Sequence, residues 1–202
     1  MALARMTLLE AVNRVLQMMG EAPVNSLTGQ FPVAKQARDM IDTVSRSVQS
    51  EGWSFNTTYE QTLARNSSNE IEVGPSVSRV TVDALNYPDI EVVMRGGRLY
   101  DRRGGTYTFT QDLKADVTAL LEWDELPEYA HYYFATKAGR QLQEALMGSA
   151  DLTRINAALE TEARSQFMEE ETSRTDCNYL RGNHNHTSVL NTYMPSRALQ
   201  RF

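Results

Sequence analysis

The sequence predicts an α+β fold: a four-helix bundle with an inserted, mostly antiparallel β-region and an extended C-terminal arm. Apolar residues recur at three- and four-residue spacing in two separate parts of the chain. Between these parts the period falls to two, in short runs rich in β-branched and aromatic residues. From Ser173 onward hydrophobic periodicity stops. We therefore expect a helical bundle from residues 1–54 and 125–174, a β subdomain from 55–124, and an arm from 175–202.

The first helical pair has clear start and stop signals. Thr7-Leu8-Leu9-Glu10 is a capping box, in which the Thr hydroxyl and the Glu carboxylate accept hydrogen bonds from free amides. This helix should reach about Met19 and end at Gly20, and the second should run from Pro32 to Glu51. The expected buried faces are Leu8, Leu9, Val12, Val15, Leu16 and Met19, then Val33, Ala37, Met40, Ile41, Val44 and Val48.

The second pair, from Leu126 to Phe167, reads as two amphipathic helices in an antiparallel hairpin, broken at Gly148-Ser149-Ala150-Asp151. Pro127 should lie in the first turn of the third helix, and Asp151 should cap the fourth. The expected buried faces are Leu126, Ala130, Tyr133, Phe134, Ala138, Leu142, Ala145 and Leu146, then Leu152, Ile155, Leu159, Ala163 and Phe167.

Seven short runs predict a mostly antiparallel meander in the middle of the chain. They are Tyr59 to Leu63, Ile71 to Val73, Val77 to Val82, Ile90 to Met94, Arg98 to Tyr100, Thr106 to Phe109 and Val117 to Leu121. Gly96-Gly97 and Gly104-Gly105 supply the positive φ of two hairpin turns. Their flanking arginines also resemble RGG nucleic-acid segments, but the turn interpretation uses every glycine.

Composition limits the possible functions. The chain has 202 residues and a net charge of −6, which disfavours a protein that coats a phosphate backbone. Its one cysteine, Cys177, excludes an internal disulfide framework. No apolar stretch approaches the length of a membrane span, so we expect no membrane association and no signal peptide.

Candidate chemical groups are sparse, and we expect no catalytic residues, cofactor or metal. Glu125 and Glu128 could form a glycosidase acid/base pair, but carboxylates at a helix start also suit the helix dipole. Asn183-His184-Asn185-His186 is the nearest approach to a metal motif, and His131 is the only other histidine. Glu169-Glu170-Glu171 is either a solvated face or an acidic contact surface.

The predicted arm contains scattered apolar and basic residues in an otherwise polar segment. Two interpretations stay open: an arm that orders against a partner, or an idle terminus. The candidate partner-binding residues are Tyr179, Leu180, Arg181, Tyr193, Arg197, Leu199, Arg201 and Phe202.

Several blocks, in their order and spacing, resemble the tail tubular protein A family of short-tailed bacteriophages. They are Ala11-Val12-Asn13, Gly20-Glu21-Ala22-Pro23-Val24 with Leu27, Gln49 to Asn56, Arg95-Gly96-Gly97 with Tyr100-Asp101-Arg102, Asp124 to Glu128, and Thr136 to Gln141. The resemblance covers residues from about 7 to 180.

The resemblance implies a structural virion protein rather than an enzyme. It implies a dodecameric ring that joins the portal protein to the tail nozzle (tail tubular protein B) and lines the channel through which viral DNA leaves without specific binding. Such a protein would be made in the host cytoplasm and reside in the virion tail. The alternative is an envelope glycan hydrolase associated with the tail. We also expect Trp53 and Phe55 to be buried where bundle and sheet meet.

Overall fold

The computed structural model describes residues 5–29, 31–84 and 86–174, and it confirms a mixed α+β chain. Residues group into two compact units, one formed by Met1–Asn56 with Ala119–Glu171 and another that contains Thr57–Thr118. The helices are α1 (Leu8–Met18), α2 (Pro32–Gln49), α3 (Glu128–Leu146) and α4 (Ala150–Arg174). The strands are β1 (Thr57–Leu63), β2 (Val77–Val82), β3 (Val92–Arg95), β4 (Arg98–Asp101) and β5 (Leu113–Ala119).

The capping box of α1 forms as predicted. The Glu10 carboxylate accepts from the Thr7 amide at 2.7 Å, and the Thr7 hydroxyl oxygen accepts from the Glu10 amide at 3.3 Å. The hydrogen bond from the Thr7 amide, and after it one that the Thr7 hydroxyl donates to the same carboxylate at 2.9 Å, lower the pKa of Glu10. Past the ends of α1, α2 and α3, positive φ angles occur at the predicted stops Gly20, Gly52 and Gly148.

Helix α3 packs against both α1 and α2. Its buried residues lie on nearly all sides, from Ala130 through His131, Tyr133 and Thr136 to Gln143. Ala145 and Leu146 were wrongly assigned to the buried face: both are exposed, because the last turn of α3 extends past the packed core. Pro127 precedes the first turn rather than lying in it.

Helix α4 buries Ala163 and Phe167 as predicted, but near its start Asn156 is buried in place of Ile155. Ile155 is 54% exposed, whereas Asn156, Ala163, Phe167 and Glu171 are buried. Apolar residues occur on more than one side of this helix, so spacing alone did not select the face that packs. Asp151 lies inside the first turn and is not the cap, since the helix begins at Ala150.

The predicted meander is wrong, because the strands do not pair in the order of the sequence. The three-stranded sheet has the order β1-β5-β2, and β3 and β4 form a separate two-stranded sheet. Strand β1 pairs antiparallel with β5, with a bulge where Tyr59 and Glu60 face Asp116. The central strand buries Leu113, Ala115 and Val117, whereas most of β1 is exposed.

Two of the predicted strands, 71–73 and 106–109, form only isolated bridges. Glu70 pairs with Thr108, Glu72 pairs with Arg98, and Thr106 pairs with Asp101. The β3–β4 hairpin forms as predicted. Arg95 pairs with Arg98, and the two loop residues Gly96 and Gly97 have φ of 58° and 74°. Positive φ at both positions is the requirement of a type I′ turn, which glycine meets without steric cost.

Candidate partner-binding surfaces

The eight candidate partner-binding residues, from Tyr179 to Phe202, lie outside the described residues. So do Cys177 and the two histidines of Asn183-His184-Asn185-His186. The described residues include α4, the helix that precedes these positions in the sequence, and other exposed surfaces of the helical unit.

The end of α4 is held by Glu171, a carboxylate that is only 6% exposed. Glu171 accepts a hydrogen bond from the Tyr129 hydroxyl at 2.6 Å and another from the Ser54 amide at 2.9 Å. A buried carboxylate requires such donors, because loss of its hydration is otherwise costly. Neither sequence interpretation of Glu169 to Glu171 foresaw this role for its last member.

Trp53 and Phe55 were expected to be buried, and both are partly buried against the helical core. They pack with Phe167 of α4: the Trp53 ring lies 4.7 Å from it, edge to face, and the Phe55 ring 6.4 Å. Tyr129 and Tyr133 also contact Phe167. This aromatic cluster and the Glu171 hydrogen bonds together fix the C-terminal half of α4 on the helical unit.

Glu125 and Glu128 are both engaged in structural hydrogen bonds. Glu125 accepts from the Glu122 amide at 3.2 Å in a second capping box, at the short 3₁₀ turn Trp123–Glu125. Glu128 accepts from the Met6 amide at 2.8 Å, which attaches the segment before α1 to the start of α3. These positions fit the structural interpretation rather than an acid/base pair.

His131 is buried beneath the same turn. Its ring stacks on Trp123 with 4.5 Å between centroids, and Nε2 lies 2.7 Å from the Trp123 carbonyl oxygen. Trp123 in turn donates from Nε1 to the Met6 carbonyl at 3.0 Å. Among the described residues, no three His, Cys, Asp or Glu side chains are placed to hold a metal ion.

The arginines beside the paired glycines are engaged within the β-rich unit. Arg98 donates to both carboxylate oxygens of Glu70, and Arg102 pairs with Glu91 at 3.0 Å. Arg95 stacks on Tyr100, and Arg103 donates to the Pro88 carbonyl at 2.6 Å. These contacts favour the turn interpretation over an RGG-type nucleic-acid surface.

Several residues of the resemblance blocks are polar side chains that fasten connectors. Asn13 of α1 donates to the Val24 carbonyl at 2.9 Å and accepts from the Val24 amide at 2.8 Å. Gln49 bonds the Leu121 amide and carbonyl in the same two-way manner. Asp101 accepts from the amides of Glu91, Arg103 and Gly104. These roles were not predicted, although a polar side chain near a Pro- or Gly-containing connector was the available signal.

Asn13 thereby holds one wall of an apolar groove of about 250 Å³, which we call the α1–α2 groove. Phe31, at the start of α2, is 50% exposed. Among the described residues of the lining Glu21 is the one that is charged, and the others are Leu16, Ala22, Pro23, Val24, Phe31, Pro32, Val33 and Ala34.

A second exposed apolar surface lies at the turn between α3 and α4. Leu146, Met147 and Ile155 are 49%, 50% and 54% exposed, and we call them the hairpin tip. Beneath the tip, Gln143 is fully buried; its Oε1 accepts from Thr153, but its Nε2 has no hydrogen-bond partner among the described residues. Three exposed large apolar side chains near one turn make this tip a candidate contact surface.

A chain with such capped and fastened helices, exposed apolar surfaces and structural carboxylates has the features of an assembly component. A family model described as tail tubular protein matches residues 9–177, and the chain belongs to that family. It is a structural protein of the bacteriophage tail.

The chain is also similar to tail tubular protein A of Klebsiella phage KP34. The two are 28% identical over 154 residues, which cover 76% of this chain and 80% of the relative. The predicted family resemblance is thus confirmed, whereas the hydrolase alternative finds no support in these comparisons. None of the described helices is both long and apolar enough to cross a membrane.

Proposed function

We propose that the chain is the ring-forming adaptor of the tail: it joins the portal protein to the tail nozzle (tail tubular protein B) and lines the channel for viral DNA. The observation that carries this proposal is the family match over residues 9–177, together with the similarity to a tail tubular protein A. The proposed assembly is a dodecamer without enzymatic activity or cofactor, made in the host cytoplasm and incorporated into the virion tail.

In this proposal the four helices form one bundle, residues 55–124 the β subdomain and residues 175–202 an arm. The Glu171 hydrogen bonds and the Phe167 cluster support the arm's role, because they fix the helix from which the segment departs. Tyr179, Leu180, Tyr193, Leu199 and Phe202 would be the apolar anchors, and Arg181, Arg197 and Arg201 would pair with acidic partner surface. Ordering such a segment costs several kcal/mol, which burial of the anchors would offset.

The net charge of −6 supports a channel role in which DNA passes without binding. A basic wall would hold phosphates and slow a passing genome, whereas an acidic wall repels them. The same charge opposes association of like subunits, so we expect the isolated protein to be largely monomeric at low concentration. A predominantly Lys/Arg bore in an assembled ring would contradict the first expectation, and a stable closed ring without portal would contradict the second.

The proposal is tested by capture on immobilised portal protein. The full chain and a chain that ends at Asp176 are compared, each after its thermal unfolding shows a folded protein. We expect capture of the full chain and loss of capture for the shortened one. Equal capture of both would remove the arm from portal attachment and place the contact on the helical unit; capture of neither would contradict the adaptor role.

A further inference from the structure

We propose that neighbouring copies of this chain contact each other head to tail, with the hairpin tip of one copy inserted into the α1–α2 groove of the next. The inference rests on the proposed ring and deepens it by naming the surfaces that join its subunits. Four features of the helical unit carry it: the chemistry of the two surfaces, their shapes, their size and their common level.

The two surfaces are complementary in chemistry and shape. The groove is concave and apolar apart from Glu21, and the tip is a convex turn with three half-exposed apolar side chains. No residue of α3 or α4 contributes to the groove lining, so the tip does not fill the groove of its own chain. Met147 is suited to such a contact, because its unbranched side chain adapts to an irregular apolar space.

The size of the groove favours side chains over a small ligand. Its volume of about 250 Å³ is below the range of roughly 300–1,000 Å³ that is typical of small-molecule sites. The part of the lining that the structure describes also lacks the convergent polar groups that orient a ligand, since Glu21 is its one charged residue. A few apolar side chains of a protein partner match both properties.

The groove and the tip lie at the same end of the helical unit. At the start of α1 the Met6 amide bonds Glu128 of α3, and halfway along Arg14 bonds Thr136. These pairs show that α1 and α3 run parallel, so their C-terminal ends are adjacent. At that end Asn156 of α4 lies 3.5 Å from the Met18 carbonyl oxygen. The groove begins at Leu16, and the tip surrounds the neighbouring turn.

The shared position of groove and tip along the helices bears on the symmetry of the assembly. Contacts between two different surfaces of one chain produce rings when the rotation closes and filaments when each copy is also displaced along the axis. Because groove and tip lie at one level along α1 and α3, joining them requires little displacement along those helices. The contact therefore suits a closed ring whose axis follows the helices.

The test is chemical cross-linking of introduced cysteines in virions of the phage that encodes the chain. In a Cys177→Ser background, a Phe31→Cys/Met147→Cys variant is treated with a thiol-specific bifunctional reagent. Both positions are half-exposed, so the purified variant should keep the melting temperature of its background. We expect a ladder of covalent multimers from the double variant and none from either single variant.

The matched control joins Phe31→Cys with Met168→Cys. Met168 is 41% exposed but lies 13 residues beyond Ile155 on α4, about 20 Å away along the helix. This pair should give no ladder. Dimers from a single-cysteine variant would show a two-fold contact and overturn the proposal, as would tails that contain the reactive double variant without a ladder. Absence of the wild-type chain from tails would instead overturn the proposed function.

A second variant tests the same contact without cysteines. Met147→Lys/Ile155→Lys places two charges on the tip, and a charge cannot enter an apolar groove without loss of its hydration. We expect an unchanged melting temperature and loss of incorporation into tails, whereas Met168→Lys should be incorporated normally. Normal incorporation of the tip variant would contradict the proposal.

Discussion

The Tyr129 hydroxyl donates a 2.6 Å hydrogen bond to the buried Glu171 carboxylate, and so joins the first turn of α3 to the last turns of α4. The two residues are 42 positions apart in sequence. Together with the Ser54 amide, this contact fixes the position at which the chain leaves the helical unit toward residue 175. We call these two hydrogen bonds to Glu171 the clamp. Among the described features, the clamp bears most directly on the proposed arm.

Removing the hydroxyl tests this clamp. Tyr129→Phe should lower the free energy of unfolding by about 1.5–3 kcal/mol, the range for hydrogen bonds to charged groups. Glu171→Gln should also destabilise, and the double variant should lose less than the sum of the two single changes. Chemical denaturation of all four proteins provides the cycle; strictly additive losses would show that the two side chains are not coupled.

Trp53→Ala should lower the free energy of unfolding by about 3 kcal/mol or more, in the range measured for large aromatic truncations. Its ring packs edge to face on Phe167, and its Nε1 donates to the Val48 carbonyl at 2.7 Å. Met168→Ala is the matched control, because Met168 follows Phe167 but is 41% exposed. Similar thermal unfolding of the two variants would contradict an anchoring role for Trp53.

The capping box should make stability depend on pH. Hydrogen bonds from Thr7 lower the pKa of Glu10 below its ordinary value of 4.5. A lowered pKa in the folded state adds stability above the unfolded pKa, and this stability is lost as pH falls through the folded pKa. Glu10→Gln keeps an acceptor but does not titrate. The wild type should be the more stable protein near neutral pH, and the difference in melting temperature should shrink below about pH 4.5.

Replacing Gln143 should stabilise the protein. Its unpaired Nε2 is buried, and an unsatisfied buried polar group costs about 1–3 kcal/mol. The double variant Gln143→Met/Thr153→Val removes the unpaired amide group together with the Thr153 hydroxyl that donates to Gln143. It should raise the melting temperature. The exposed Gln17→Met on α1 is the control and should change it little. A lower melting temperature for the double variant would show that the amide has a partner in solution.

Local signals predicted most of the elements. The bounds of β2, the capping box at Thr7, the Gly96-Gly97 hairpin and the helix stops all depend on residues close together in sequence. Steric freedom of glycine and the hydrogen-bonding needs of a helix end act within a few positions, so the sequence expresses them directly. The runs of residues 71–73 and 106–109 show the limit, because β-propensity alone does not provide a pairing partner.

The prediction of functional residues had the same limit. The exposed hairpin tip was mistaken for buried surface at Leu146 and Ile155, because periodicity shows that a helix has an apolar face but not what covers it. Asn13, Gln49 and Glu171 went unrecognised, since their partners lie on other segments, as far as 117 residues away for the Ser54–Glu171 pair. The proposed arm residues stay a prediction.

The sequence by itself determined the class of the fold, the helix boundaries near glycines and caps, and the family, because these depend on local geometry and on the order of short blocks. Only the tertiary structure decided the strand order β1-β5-β2, the burial of Asn156 rather than Ile155 on α4 and the use of Glu171 as a clamp. Each of these depends on which distant segments meet. That choice follows from the packing of the whole unit, in which a side chain is buried or exposed according to neighbours that its own sequence segment does not contain.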